Sequence, residues 1–195
     1  MGRIKFRGGA MLAPLPPALV SCGTEENSNI ITIAWTGILS TVPPKTYISV
    51  RPTRYSYDII KNQKEFVINL CTASLARSAD YCGMFTGRKV NKFDKCGLTR
   101  IASEEVACPS IAESPLSLEC RVTDIVPLGS HDMFLADIVA VTVDESLLDE
   151  KGKLHMERAG LCAYSHGEYY EIGKKIGNFG FSAVKPKKKK HLQKK

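Results

Sequence analysis

Short strand-like segments that do not alternate with helices limit most strongly what this chain can fold into. They are rich in Val, Ile, Thr and Tyr and are bounded by turn residues, which is typical of β-strands. The pattern predicts strands at Ala18–Cys22, Ile30–Trp35, Tyr47–Val50, Glu65–Cys71, Leu118–Leu128 and Met133–Val143. Helices are predicted only over 56–62 and 74–82, with Ser56 and Ser74 as N-caps. We therefore expect a mainly β protein with inserted helices, an antiparallel barrel rather than a doubly wound sheet.

The charge of the chain is concentrated at its C-terminus. The net charge is +7, but Lys185–Lys195 holds seven lysines and no acidic residue, so the rest has 20 basic and 20 acidic residues. A lysine tail without aromatic residues gives at best non-specific attraction to polyanions. We expect one domain over 1–184, a disordered basic tail over 185–195, and no specific nucleic-acid partner.

The cysteine pattern indicates a reduced, metal-free protein. The seven cysteines include no C-x-x-C pair, and the four histidines show no metal-ligand spacing, so neither a disulfide framework nor a metal site is expected. Three prolines interrupt the apolar stretch before Cys22, which favours a first strand over a lipoprotein-type signal. No apolar run is long enough to span a membrane. These observations predict a cytoplasmic protein.

Two arginines follow the predicted strand Tyr47–Val50. Arg51 and Arg54 precede Ser56 at a predicted helix start, where an anion would meet two guanidinium groups, a hydroxyl and free backbone N–H groups. The segment predicts a phosphate site, and the absence of a Gly-rich loop favours a mononucleotide tail over a triphosphate. Ordinary surface charge is the alternative interpretation.

Two further features have both a structural and a functional interpretation. Trp35 ends a strand among small residues that would let a flat ligand approach the backbone, although a packed core tryptophan explains the local pattern equally well. His131 lies at the hairpin corner predicted at Gly129–Ser130, where a lone histidine is commonly structural. No dinucleotide-binding fingerprint and no catalytic triad is recognisable.

Taken in order, these segments resemble the flavin reductase-like family of FMN-binding proteins, which includes flavoredoxin. The resemblance runs from about Met11 to Ser182 and passes through the motifs Asn29–Thr36, Ser49–Ser56, Glu65–Asn69, Asp80–Gly83, Gly87–Phe93, Gly97–Thr99, Leu118–Cys120, Gly129–Phe134 and Gly177–Gly180. It implies a split β-barrel, a homodimer, and FMN held near the subunit interface.

The resemblance also assigns site residues. It places the isoalloxazine ring against Ala34, Trp35, Thr36, Ser49, Val50 and Arg51, and the phosphate at Arg54 and Ser56. Ser78, Ala79 and Lys92 match segments that close over the cofactor, and His131 matches a histidine near the nicotinamide site, the one catalytic candidate. The lysine tail is not a family feature.

The implied activity is electron or hydride transfer through bound FMN. The leading hypothesis is an NAD(P)H-dependent flavin reductase, with NADH or NADPH as co-substrate. The alternative is a flavoredoxin-type FMN electron carrier that a protein partner reduces. A polyanion-binding module that uses the tail is the third hypothesis.

Overall fold

A computed structural model of the protein describes residues 2–183. The strands are β1 Ala18–Gly23, β2 Ser28–Ile33, β3 Thr36–Thr41, β4 Pro44–Val50, β5 Glu65–Leu70, β6 Arg100–Ile101, β7 Ser110–Ile111, β8 Leu116–Pro127, β9 Asp132–Val143, β10 Cys162–Ser165 and β11 Glu168–Glu171. The helices are α1 Tyr55–Gln63, α2 Ala76–Met84 and α3 Lys92–Cys96, with short 3-10 turns at Glu145–Leu147, Met156–Arg158 and Phe181–Ala183.

Seven strands form one antiparallel sheet in the order β2-β1-β5-β8-β9-β4-β3. The long β8–β9 hairpin is its centre, and its register shifts twice, near Glu119 and near Thr123. Such shifts bend and twist a strand pair, so they curl the sheet. β2 and β3 remain as the two edges and are not paired with each other in the described chain. The fold is a split β-barrel, as predicted.

Alternate residues of β1 supply two hydrophobic cores, one on each face of the sheet. Val20 joins a cluster inside the curled sheet that includes Ile48, Phe66 and Phe134 and is covered by Ile60 of α1. Leu19 points the other way, into a cluster beneath α2 and α3. Both faces of β1 are therefore buried, which explains why most of its residues are apolar. The buried hydroxyl of Ser21 donates to the Pro109 carbonyl at 2.6 Å.

All six predicted strands are present, with ends shifted by at most a few residues. The predicted hairpin corner is confirmed, since residues 128–131 join β8 to β9 and Gly129 has a φ of +95°. The sequence patterns missed β3, whose mixed burial gives no clear period-2 signal, the five-residue helix α3, and the short strands β6, β7, β10 and β11.

Both predicted serine N-caps are wrong. Helix α1 begins at Tyr55, so Ser56 lies within its first turn, and its buried hydroxyl accepts a hydrogen bond from Asn29 Nδ2 at 2.7 Å. Helix α2 begins at Ala76, two residues after Ser74, and its N-cap is Leu75. The Leu75 N–H donates to the hydroxyl of Thr72, not to that of Ser74. Neither helix has a side-chain hydrogen bond at its N-cap, which is Arg54 in α1 and Leu75 in α2.

The lysine tail, Lys185–Lys195, lies outside the described residues. Within residues 2–183 no helix is both long and apolar enough to cross a membrane. The same residues contain no group of three or more His, Cys, Asp or Glu side chains placed to hold a metal ion.

Candidate functional site

A cleft with two connected compartments lies where β2, β4, α1 and α2 meet. The larger compartment has a volume of about 460 Å³ and the smaller one about 200 Å³. Ile31, Arg51 and Arg54 line both, so the two compartments adjoin, with the arginines at their junction.

The larger compartment is walled by β-strands on one side and by α2 and a hairpin on the other. Ala34 and Trp35, which link β2 to β3, lie beside Ser49 and Val50 at the end of β4, and the Ser49 N–H donates to the Trp35 carbonyl at 3.0 Å. Opposite them lie Gly83 and Met84 of α2 and Tyr164, Gly167 and Tyr169 of the β10–β11 hairpin. Such a broad, mostly apolar compartment suits a flat aromatic ligand.

The smaller compartment is cationic. Arg54 follows β4, and the buried side chain of Lys92 enters from the start of α3. Ser56 and the first turn of α1 complete the wall, so the positive end of the helix faces the same space. In the described part of the chain, Arg51, Arg54 and Lys92 all lie beyond salt-bridge distance of any carboxylate. The unpaired positive charge suits the compartment to an anion.

Lys92 is the most constrained of these cations. Its side chain is 4% exposed, and its Nζ donates to the carbonyl oxygens of Ile30 and Cys82, both at 2.7 Å. Burial lowers the pKa of this ammonium group, and the charge of Arg54 lowers it further. Two of its three N–H donors are used, which leaves one for a ligand in the compartment. A bound anion would offset the cost of burying this charge.

Arg51 is oriented by His131 at the junction. Its Nε donates to His131 Nε2 at 3.3 Å, and His131 Nδ1 lies 2.9 Å from the hydroxyl of Ser130. Burial and then the charges of Arg51 and Arg54 lower the pKa of His131. The fitting state is therefore neutral imidazole with its proton on Nδ1. The ring also meets Trp35 edge-on, with centroids 4.7 Å apart.

Gly87 lines the smaller compartment at a position that has no room for a side chain. A Cβ atom at this position would lie 2.2 Å from Asn29 Oδ1 and 2.6 Å from Tyr55 Cδ1. A side chain there would displace Asn29 or Tyr55, so at residue 87 the bare backbone borders the smaller compartment.

The structure brings most of the predicted site residues together. Those lining the larger compartment are Ala34, Trp35, Ser49, Val50, Arg51, Arg54 and His131, and those lining the smaller one are Arg51, Arg54, Ser56 and Lys92.

Three predicted residues line neither compartment. Thr36 is buried, and its hydroxyl donates to the Tyr47 carbonyl at 2.6 Å, which ties β3 to β4. Ala79 is buried on the inner face of α2, and its carbonyl accepts the hydroxyl proton of Thr32. Ser78 also lies outside the lining, which takes Asp80, Gly83 and Met84 from the same helix. The turn of α2 that faces the cleft thus begins beyond the predicted pair.

Sequence reasoning missed Asn29, Asp80, Tyr164 and Tyr169. Asn29 supports Ser56, and its signal was a polar residue at an inward position of an apolar strand. Asp80 brings a carboxylate to the larger compartment. Burial, and then the charge of Asp80, raises the pKa of Tyr169 to about 12. Tyr164 and Tyr169 come from a hairpin far along the chain, and only the fold places them at the cleft.

Several known proteins are similar to this chain in sequence or in fold. A 35% identical protein of undetermined function from Archaeoglobus fulgidus aligns over 72% of this chain and 78% of its own length. An NADPH-flavin oxidoreductase from Streptomyces viridifaciens is 26% identical over 77% of this chain and 79% of its own. Flavoredoxin of Desulfovibrio vulgaris (Miyazaki F) superposes with a TM-score of 0.85 at 29% identity, covering 93% of this chain and 99% of flavoredoxin.

The family model of the flavin reductase like domain matches residues 11–173. That range contains all seven strands of the main sheet, α1 to α3 and every residue that lines the two compartments. The chain therefore belongs to the family of flavin reductase like domains.

Proposed function

We propose that the cleft binds FMN, with the ring system in the larger compartment and the phosphate in the smaller one. The observation that carries this proposal is the junction: a broad apolar space leads past Arg51 and Arg54 into a small space lined by unpaired cations. A ligand with an aromatic ring system and a short anionic tail, such as FMN, matches this apolar space followed by a cationic one. Riboflavin would leave Lys92 and Arg54 without a counter-anion.

The residues present fit such a ligand chemically. Lys92, Arg54 and the N-terminus of α1 would neutralise the phosphate, and Ser56 has its hydroxyl fixed by Asn29 for a further hydrogen bond. The backbone at Ala34–Trp35 and Ser49–Val50 lines the ring compartment, where N–H and C=O groups can read the polar edge of a flat ligand. Tyr164 and Tyr169 reduce water access from the opposite side.

We propose further that the protein is an oxidoreductase that uses NAD(P)H. Bound FMN would supply the two-electron chemistry, since its ring accepts hydride. The residues of the chain would hold and orient the flavin ring. The neutral His131 lies beside Trp35 at the accessible rim, where a nicotinamide ring would enter. The 26% identical relative named as an NADPH-flavin oxidoreductase supports this assignment.

Flavoredoxin-type electron transfer is the second candidate. It is favoured by the TM-score of 0.85 and near-complete mutual coverage with a flavoredoxin. In that case a protein partner would reduce the flavin, and the exposed edge of Trp35, 44% exposed, would lie at the contact. In either case we expect the homodimer and the cytoplasmic location that the resemblance and composition predict.

Two measurements test the proposals separately. Titration with FMN and with riboflavin, followed by flavin fluorescence, is expected to show much tighter binding of FMN, and equal affinities would refute the phosphate assignment. Anaerobic stopped-flow mixing of the FMN-loaded protein with NADH and with NADPH then decides the activity. Rapid bleaching of the flavin absorbance supports the reductase, whereas an intact flavin band with both nucleotides supports the electron carrier.

A further inference from the structure

Two cysteines lie in contact beside the wall of the smaller compartment. The Sγ atoms of Cys82 and Cys96 are 3.8 Å apart. Cys82 belongs to the last turns of α2, and Cys96 is the last residue of α3. Both are free thiols, Cys82 fully buried and Cys96 partly exposed.

The pair brackets the segment that closes the anion site. Phe85, Thr86 and Gly87, between the two helices, line the smaller compartment, as does Cys82 itself. The Cys82 carbonyl also accepts a hydrogen bond from Lys92, in the same helix as Cys96. A covalent bond between the sulfurs would therefore fix both ends of this wall and the helix that carries the buried cation.

We infer that Cys82 and Cys96 form a reversible disulfide, and that this disulfide makes the wall of the smaller compartment more rigid. A disulfide needs an S–S distance of about 2.05 Å, so closure from 3.8 Å requires a shift of less than 2 Å shared between two short helices. The oxidant is a small-molecule disulfide of the glutathione class.

The exchange balances in two steps. The partly exposed Cys96, as thiolate, attacks one sulfur of the small disulfide and releases one small thiol, which leaves a mixed disulfide on Cys96. Cys82 then attacks the Cys96 sulfur, forms the protein disulfide and releases the second small thiol. Two protein thiols lose two electrons, the small disulfide gains them, and the two thiol protons pass to the leaving thiolates.

The surroundings assign these roles. Burial raises the pKa of the Cys82 thiol to about 12, while the nearby Lys92 ammonium opposes the shift. Cys82 is therefore a poor first nucleophile, and its position suits the resolving role once a mixed disulfide lies against it. Cys96 has the solvent access that the first step needs.

The test uses the full-length protein, incubated with glutathione disulfide or with dithiothreitol. Peptide mass mapping is expected to show a cross-link between the Cys82 and Cys96 peptides and the loss of two hydrogen atoms, and the Cys96→Ser variant should lack both. The Cys162→Ala variant, which changes a buried cysteine of the same core, should still form the cross-link. A glutathione adduct that persists on Cys96, or unchanged thiols, would overturn the assignment.

Two further readouts test the effect on the wall. Amide hydrogen exchange of residues 85–91 is expected to slow on oxidation, and unchanged exchange would refute the link to the wall. The release of FMN on dilution should slow by about threefold, because a pre-ordered wall loses less freedom on binding. This last readout rests on the proposed function. If FMN does not bind, the exchange and mass measurements still decide the inference.

Discussion

Replacement of Arg54 by alanine is the sharpest test of the anion site. Arg54 lines both compartments, is exposed, and makes no side-chain hydrogen bond or salt bridge within the described chain. Its removal should therefore leave the fold intact and act on ligand binding alone. A hydrogen bond to a charged group contributes about 1.5–3 kcal/mol, which corresponds to roughly a 10- to 150-fold rise in the Kd for FMN. Salt screening of an exposed cation should bring the effect toward the lower end at physiological ionic strength.

Fluorescence titration at low and at physiological salt measures this effect. The Kd for riboflavin should change by less than about twofold, because the lost contact is to the phosphate. Arg77→Ala is the matched control, since Arg77 is exposed on α2 and lines neither compartment, and it should leave both affinities unchanged. Equal losses for FMN and riboflavin, or an FMN loss no larger than that of the control, would show that Arg54 does not face the phosphate.

Other parts of the molecule give four further predictions. His131→Ala should slow anaerobic flavin reduction by about tenfold, or about 1.4 kcal/mol, in stopped-flow experiments while FMN affinity changes little; no effect would leave the histidine structural. Gly87→Ala should weaken FMN binding in the same titration, because its Cβ would overlap Asn29, and unchanged affinity would contradict the tight closure. A protein that ends at Val184 should keep its thermal stability and flavin colour; loss of either would move the domain boundary. Hydrogen bonds to Glu157 and Asp149 raise the pKa of His155. The stabilisation that these contacts give should therefore be complete at pH values below the unfolded-state pKa and disappear as pH rises through the folded-state pKa. Urea unfolding of the His155→Asn variant and of the unmodified protein across this pH range measures the difference. A pH-independent difference would refute it.

The strands could be predicted from the sequence because their signal is local. Residues such as Val20 and Phe66 lie in short β-branched and aromatic runs bounded by turns, and the lack of regular strand–helix alternation argued against a doubly wound sheet. The cationic motif was also visible, since Arg51 and Arg54 lie only three residues apart after one strand. Ordered short motifs then indicated the family.

The helix starts and the second half of the cleft required the tertiary structure. Ser is a residue type that commonly caps helices, but the hydroxyl of Ser56 accepts a hydrogen bond from Asn29, 27 positions earlier, and lies at the smaller compartment instead. Lys92 could be placed near the cofactor only by resemblance. Its burial against the carbonyls of Ile30 and Cys82 depends on where α3 packs.

The same division explains which site residues were found. Residues at the ends of β2 and β4 were placed together by the family resemblance, and in the structure they line the same compartment. Asp80 and Tyr169 meet across the larger compartment although 89 positions separate them in the chain. Composition and periodicity are properties of near neighbours, and they determined the strands and the cationic motif. Contacts between distant segments follow from how the sheet curls, so only the tertiary structure decided the shape of the cleft and the charges that meet in it.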